Sequence, residues 1–178
     1  MKAAAAWMNR MAEQHRGFAL AVLTVAGFAA AHTLNILLNT EIPQVDETMA
    51  WAASAGLIIG AFVAFFGGFV AWLYLSFGIF LVLRTHEREL SAAAVTSRTG
   101  VAFMFPLAGF VASLAIGAVG APGIAATVIY AASAVYGLAV LAKALMEAEF
   151  ARPVVAIAAV ATPVIVVVAI IVLLTLAA

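Results

Sequence analysis

Residues 51–83 contain no charged side chain. Wound as an α-helix at 1.5 Å per residue they reach about 50 Å, well beyond the roughly 30 Å hydrocarbon layer of a bilayer. A run of that length and character has no place on a water-facing surface. Four more apolar runs accompany it, at residues 17–39, 101–119, 124–141 and 154–176. Each is long enough, or nearly so, to cross a bilayer as a helix. The reading is therefore an all-α, polytopic transmembrane helical bundle of five spans, covering residues 17–178.

Composition supports this. Hydrophobic residues make up 67% of the 178 positions and charged residues 9%, with mean hydropathy +1.22. A soluble domain carries about 25% charged residues because its surface must face water. Here most of the surface must face lipid, so the bilayer itself is the first partner. Eight basic and eight acidic side chains cancel, leaving no net field to recruit nucleic acid. Cysteine is absent, which excludes disulfides, thiolate metal sites and cysteine nucleophiles.

The order of spans and the placement of charge set an orientation. Lys2, Arg10 and Arg16 precede the first span; Arg84, Arg88 and Arg98 separate the second from the third; Lys143 and Arg152 separate the fourth from the fifth. All eight bases thus fall on one side. The opposite connections hold Glu41, Asp46 and Glu47 and no base. The positive-inside rule predicts a cytoplasmic N-terminus, an external C-terminus and a multi-pass location in the cytoplasmic membrane of a prokaryote. The long second run reads as one helix, with Gly67-Gly68 as its weakest point. Ser91 offers an N-cap for a short stretch leading into the third span. Pro106 is expected in the first turn of a helix or at a kink, and Pro163 at a kink in the fifth span.

Residues 1–16 read as an interfacial amphipathic helix, with Ala4, Trp7, Met8 and Met11 on one face and Lys2, Arg10, Glu13 and Arg16 largely elsewhere. Ala29, Ala30 and Ala31 imitate a signal-peptide cleavage site, but the interfacial helix is the better account of the N-terminal segment.

One polar stripe crosses a span. Thr24, Phe28, His32, Asn35 and Asn39 project within about 80° of one another on a helix. His32, Asn35 and Asn39 are the candidate ligand-binding residues, on the outer-leaflet side. The competing reading is structural: hydrogen bonds that join the first span to its neighbours. Under it, His32 is expected to bond to a serine, tyrosine or backbone carbonyl of another span; as a site, it is expected to border a cavity. A single histidine with no intramembrane carboxylate points to no metal centre. His86, Glu87 and Glu89, with Glu147 and Glu149, read as a solvated surface interleaved with basic residues, and Lys143 and Glu147 form an i, i+4 pair.

No phosphate-binding glycine loop, HExxH or GxSxG motif occurs, and no serine can be paired with a base from spacing. The expectation is accordingly no catalytic residue, no cofactor and no enzymatic activity. Small residues at four-residue spacing (Gly109, Ser113 and Gly117; Ala52, Gly56 and Gly60; Ser133 and Gly137) predict close helix approaches within the bundle or in a homo-oligomer.

Several stretches from about Ala64 onward carry a family likeness. These are FGIFLVLRTHEREL closing the second span, SAAAVTSRTGVAFMFPLAGF with its proline just inside the third, the short turn after it, and YGLAVLAKALMEAEFARPVVAIAAVATPVIVVVAIIVLL. In this layout the chain resembles the Yip-domain family of small five-span membrane proteins. The resemblance implies a five-span fold and an association with membrane organisation and trafficking. Together these features predict a scaffold or partner-binding membrane subunit. The alternative is a transport component (a channel, a substrate-binding subunit or a small-molecule permease) with its site around His32.

Overall fold

A computed structural model describes residues 1–14, 16–39, 47–86, 91–119, 123–148 and 152–177, without the side chains of residues 36, 38, 39, 47, 48, 50 and 177. Every regular element among them is a helix: α1 (Lys2–Glu13), α2 (Gly17–Asn39), α3 (Glu47–Arg84), α4 (Ala92–Ala102), α5 (Met104–Ala118), α6 (Gly123–Glu147) and α7 (Pro153–Ala177). Helix is the conformation that satisfies a backbone within its own segment, which lipid demands. Five stretches are long and apolar enough to cross a membrane: Gly17–Asn35, Trp51–Arg84, Ala92–Ala118, Gly123–Glu147 and Pro153–Leu176.

The third span differs from its sequence reading at its start and in its middle. It begins at Ala92 rather than near Val101, so Arg98 lies inside a helix instead of in a connection. Ser91 occupies the N-cap position, yet its hydroxyl makes no capping bond. The span is broken at Phe103, where α4 ends and α5 begins. Pro106 is the cause. It has no N–H for the carbonyl of Ala102, and its ring crowds that carbonyl. Phe103 instead donates to Gly100 O at 3.1 Å, and helical bonding resumes with Leu107 N donating to Phe103 O at 3.0 Å.

α3 runs unbroken through Gly67-Gly68 for 38 residues. The glycine serves packing rather than bending. A Cβ on Gly68 would lie 2.8 Å from that of Ala29, so α2 and α3 meet there almost backbone to backbone. Pro163 stays inside continuous α7. Its carbonyl accepts a 3.3 Å hydrogen bond from the Tyr74 hydroxyl, which ties α7 to α3.

Successive spans are antiparallel, so the start of α2, the end of α3, all of α4, the end of α6 and the start of α7 share one end. The described basic side chains lie there too, and it is termed the basic end below. The core is concentrated at this end. Ala5, Met8, Ile79, Leu83, Val95, Val140, Leu141 and Leu145 are fully buried. α1 is part of it: Ala5, Met8 and Asn9 are buried, and Ala4, Trp7 and Met11 pack against the core from the side.

Candidate functional site

His32 lies on the α2 face that also carries Thr24 and Phe28. Thr24 returns its hydroxyl to its own helix, donating to Leu20 O at 2.8 Å. The His32 ring stacks nearly parallel on Phe28, with centroids 6.3 Å apart, and meets the edge of Phe110 at 6.2 Å. Phe28 in turn packs edge-on against Phe103, and Phe110 against Tyr130. Among the described residues the imidazole makes no hydrogen bond. The interspan bond expected of a purely structural histidine is therefore not formed with any described residue.

The ring instead borders a cleft of about 300 Å³, whose walls include Ala64, Gly67, Gly68 and Ala71 of α3 and Tyr130 of α6. The cleft exists because that face of α3 carries only small side chains while the described backbones of α3 and α6 stay more than 8 Å apart. An imidazole and a phenol then face a space large enough for several waters or a small solute, with aromatic rings behind. The pair offers hydrogen-bond donors and acceptors but no carboxylate. No group of three metal-ligating side chains occurs among the described residues.

Asn35 is half-buried and already engaged in an interaction. The Asn39 side chain lies outside the described residues, so of the three candidates only His32 is seen at the cleft. Next to it, Thr33 donates to Ala61 O of α3 at 3.4 Å. Tyr130 is the site residue that sequence spacing did not reveal. It is about a hundred positions away, and only the fold brings it opposite.

Two members of the other charged cluster, His86 and Glu147, are described. His86 is exposed, with its Nδ1 2.7 Å from the Thr85 hydroxyl and 3.2 Å from Val82 O. Lys143 and Glu147 pair at 3.7 Å as their spacing predicted. Glu87, Glu89 and Glu149 lie outside the described residues.

A polar network that sequence reading missed holds the basic end together. Arg98 is 2% exposed. Its Nε donates to Asn9 Oδ1 at 2.8 Å, Nη2 to Glu13 Oε1 at 2.6 Å and Nη1 to Ala94 O at 3.2 Å. Asn9 Nδ2 donates onward to Ala144 O at 2.9 Å. One guanidinium thus fastens α1 to α4, and through Asn9 to α6. A buried cation is tolerated only with its donors satisfied in this way.

No family model, curated protein or solved structure matches this chain.

Proposed function

We propose that this chain is a non-enzymatic integral membrane protein acting as a scaffold or partner-binding subunit, its basic end in the cytoplasm and its C-terminus outside. The observation behind this reading is the state of α7. Every residue at positions 165–176 is exposed, so half of a spanning helix is left largely uncovered by the described residues of the chain. Helix association in lipid relies on close packing between helices rather than on a hydrophobic drive. Small residues that permit such packing also lie open on α3: a Cβ added at Gly56 or Gly60 would meet nothing within 4 Å. Both features suit a transmembrane helix of a partner protein seated against this half. The Yip-like layout points in the same direction.

The test is the assembly state after release from the membrane in mild detergent. A complex is expected, and Gly60→Leu together with Ile171→Trp should dissociate it without lowering the melting temperature. A monomeric wild type, with no co-purifying protein, ends this reading.

The His32 cleft favours a second reading, a transport component with its site around His32. On that reading His32→Ala melts like the wild type and loses a pH-dependent binding or flux. Lower melting with unaltered flux returns the histidine to a structural role.

A further inference from the structure

Ser76 departs from how this chain treats its hydroxyls. Thr24, Thr96, Thr99, Thr127, Thr162 and Thr175 each donate to the carbonyl four residues back, at 2.7 to 3.0 Å. That is the usual resting place of a hydroxyl inside an apolar helix. Ser76 is 2% exposed, and its Oγ has no hydrogen-bond partner among the described residues. A buried, unpaired hydroxyl is an uncompensated cost unless something arrives to bond it.

What it faces suggests the arrival. Ser76 lines a recess of about 340 Å³ between α3 and α4, with Ala92 and Thr96 on the far wall. Ala92 opens α4, an 11-residue helix whose N-cap serine leaves its first turn uncapped. The first amides of a helix have no acceptor within it, and the helix dipole makes that end attractive to anions. Phe80 forms another part of the wall, and the Arg84 guanidinium sits over its ring, 5.5 Å from the centroid. Ser76 and the first residue of α4 therefore border one small space, the Arg84 cation sits over its Phe80 wall, and no carboxylate among the described residues lines it.

The remaining wall is apolar. Leu73 and Phe77 share the recess and are 55% and 61% exposed, so they continue it onto the lateral surface of the bundle. The level also suits a headgroup. The recess begins one turn from Trp72, whose indole donates to Thr96 O at 3.0 Å, and lies where the third span enters the apolar stretch.

We infer that the recess between α3 and α4 binds the phosphate of an anionic phospholipid from the adjacent leaflet, with Ser76, the first turn of α4 and Arg84 around the phosphate and an acyl chain along Leu73 and Phe77. A free phosphate would gain nothing from that apolar wall, whereas a lipid gains from both ends.

Native mass spectrometry of the full chain in detergent tests this, with phosphatidylglycerol and phosphatidylcholine offered in equal amounts. Wild type should retain the anionic lipid about tenfold over the zwitterionic one, as two charge-assisted contacts would give. Ser76→Ala and Arg84→Gln should each lower that preference about fivefold, and Ser76→Thr should restore it. Lys2→Gln, at an exposed base remote from the recess, should leave it unchanged. Millimolar inorganic phosphate should not displace the lipid.

Equal retention of the two lipids overturns the proposal; Glu87 and Glu89, which precede α4 in sequence, would give that result by capping its first turn. It is also overturned if Arg84→Gln and Lys2→Gln act alike while Ser76→Ala does nothing, because attraction is then a diffuse field. Complete displacement by phosphate removes the lipid from the proposal. Arg84 is exposed, so its variant reads out binding even if Ser76→Ala melts early.

Discussion

At the basic end, Met8, Leu83, Val95, Leu141 and Leu145 are fully buried, and the Arg98 network stitches three helices together. At the opposite end α7 stands clear over residues 165–176, α3 is exposed at Trp51, Ile58 and Ile59, and Gly56, Gly60 and Gly117 face open space. The two ends have similar residue types, rich in alanine, valine, leucine and glycine. The difference teaches that apolar composition does not itself produce a packed core in a chain of this kind. Lipid solvates a leucine as well as another leucine does, so packing needs a further reason. Here the charged network supplies that reason at the basic end, while close backbone approach occurs along the bundle, as at Gly100 against Ala21, Gly68 against Ala29 and Gly109 against Ser133.

The sharpest way to break this comparison is to remove Arg98. Arg98→Ala strands the buried Asn9 carbonyl oxygen and frees α1. It should cost about 3 kcal/mol, toward the lower limit for a broken buried pair because Glu13 is 60% exposed. A melting curve in detergent, with proteolysis of the N-terminal helix alongside, checks it. Unchanged melting would show that the basic end does not depend on this network.

Glycine substitutions sharpen the contrast next. A Cβ on Gly100 would collide with the Cβ of Ala21 and lie 3.0 Å from the Trp72 indole nitrogen. Gly100→Ala should therefore destabilise by about 2 kcal/mol through overpacking. Gly60→Ala has open space around it and should stabilise by up to about 1 kcal/mol through helix propensity. Parallel melts of the two variants should move in opposite directions, and shifts of the same sign would contradict the division between the ends.

Smaller effects follow at exposed positions. Glu13→Gln keeps the hydrogen-bonding geometry and removes an exposed charge, so it should cost under about 1 kcal/mol. Ile171→Ala should change melting of the monomer by no more than about 0.5 kcal/mol, since its side chain is 57% exposed. A larger loss in the membrane than in detergent would reveal a partner on that face.

Orientation is read by labelling rather than by stability. The native lack of cysteine makes single replacements clean. Cysteines at Thr40 and Pro122 should react with an impermeant thiol reagent added outside intact cells, and cysteines at Thr85 and Ala148 should not. Labelling of Thr85 from outside would reverse the assigned sides.

Much of the helix inventory was legible because it depends on local quantities. The continuous α3, the i, i+4 pair of Lys143 and Glu147, and the disturbance near Pro106 follow from apolar length, helical spacing and a missing N–H. The start of the third span was legible only in part. Ser91 was read as an N-cap and α4 does begin after it, but Arg98 resembles part of a connection, and only the partners supplied by Asn9 and Glu13 let the helix carry an arginine inward. The candidate site was legible only in part. His32 stood out as a polar group in an apolar run, whereas Tyr130 and the gap between α3 and α6 gave no local sign.

The sequence by itself determined that this chain is helical and that five of its stretches are long and apolar enough to cross a bilayer. The reason is that a backbone in lipid must satisfy its hydrogen bonds within each segment, a requirement written residue by residue. The tertiary structure decided which faces meet: Gly68 against Ala29, Gly100 against Ala21, Arg98 against α1, and Ser76 buried with no hydrogen-bond partner among the described residues. Those outcomes depend on sub-ångström fit between segments far apart in sequence, and an apolar pattern that suits lipid on every side carries no record of them.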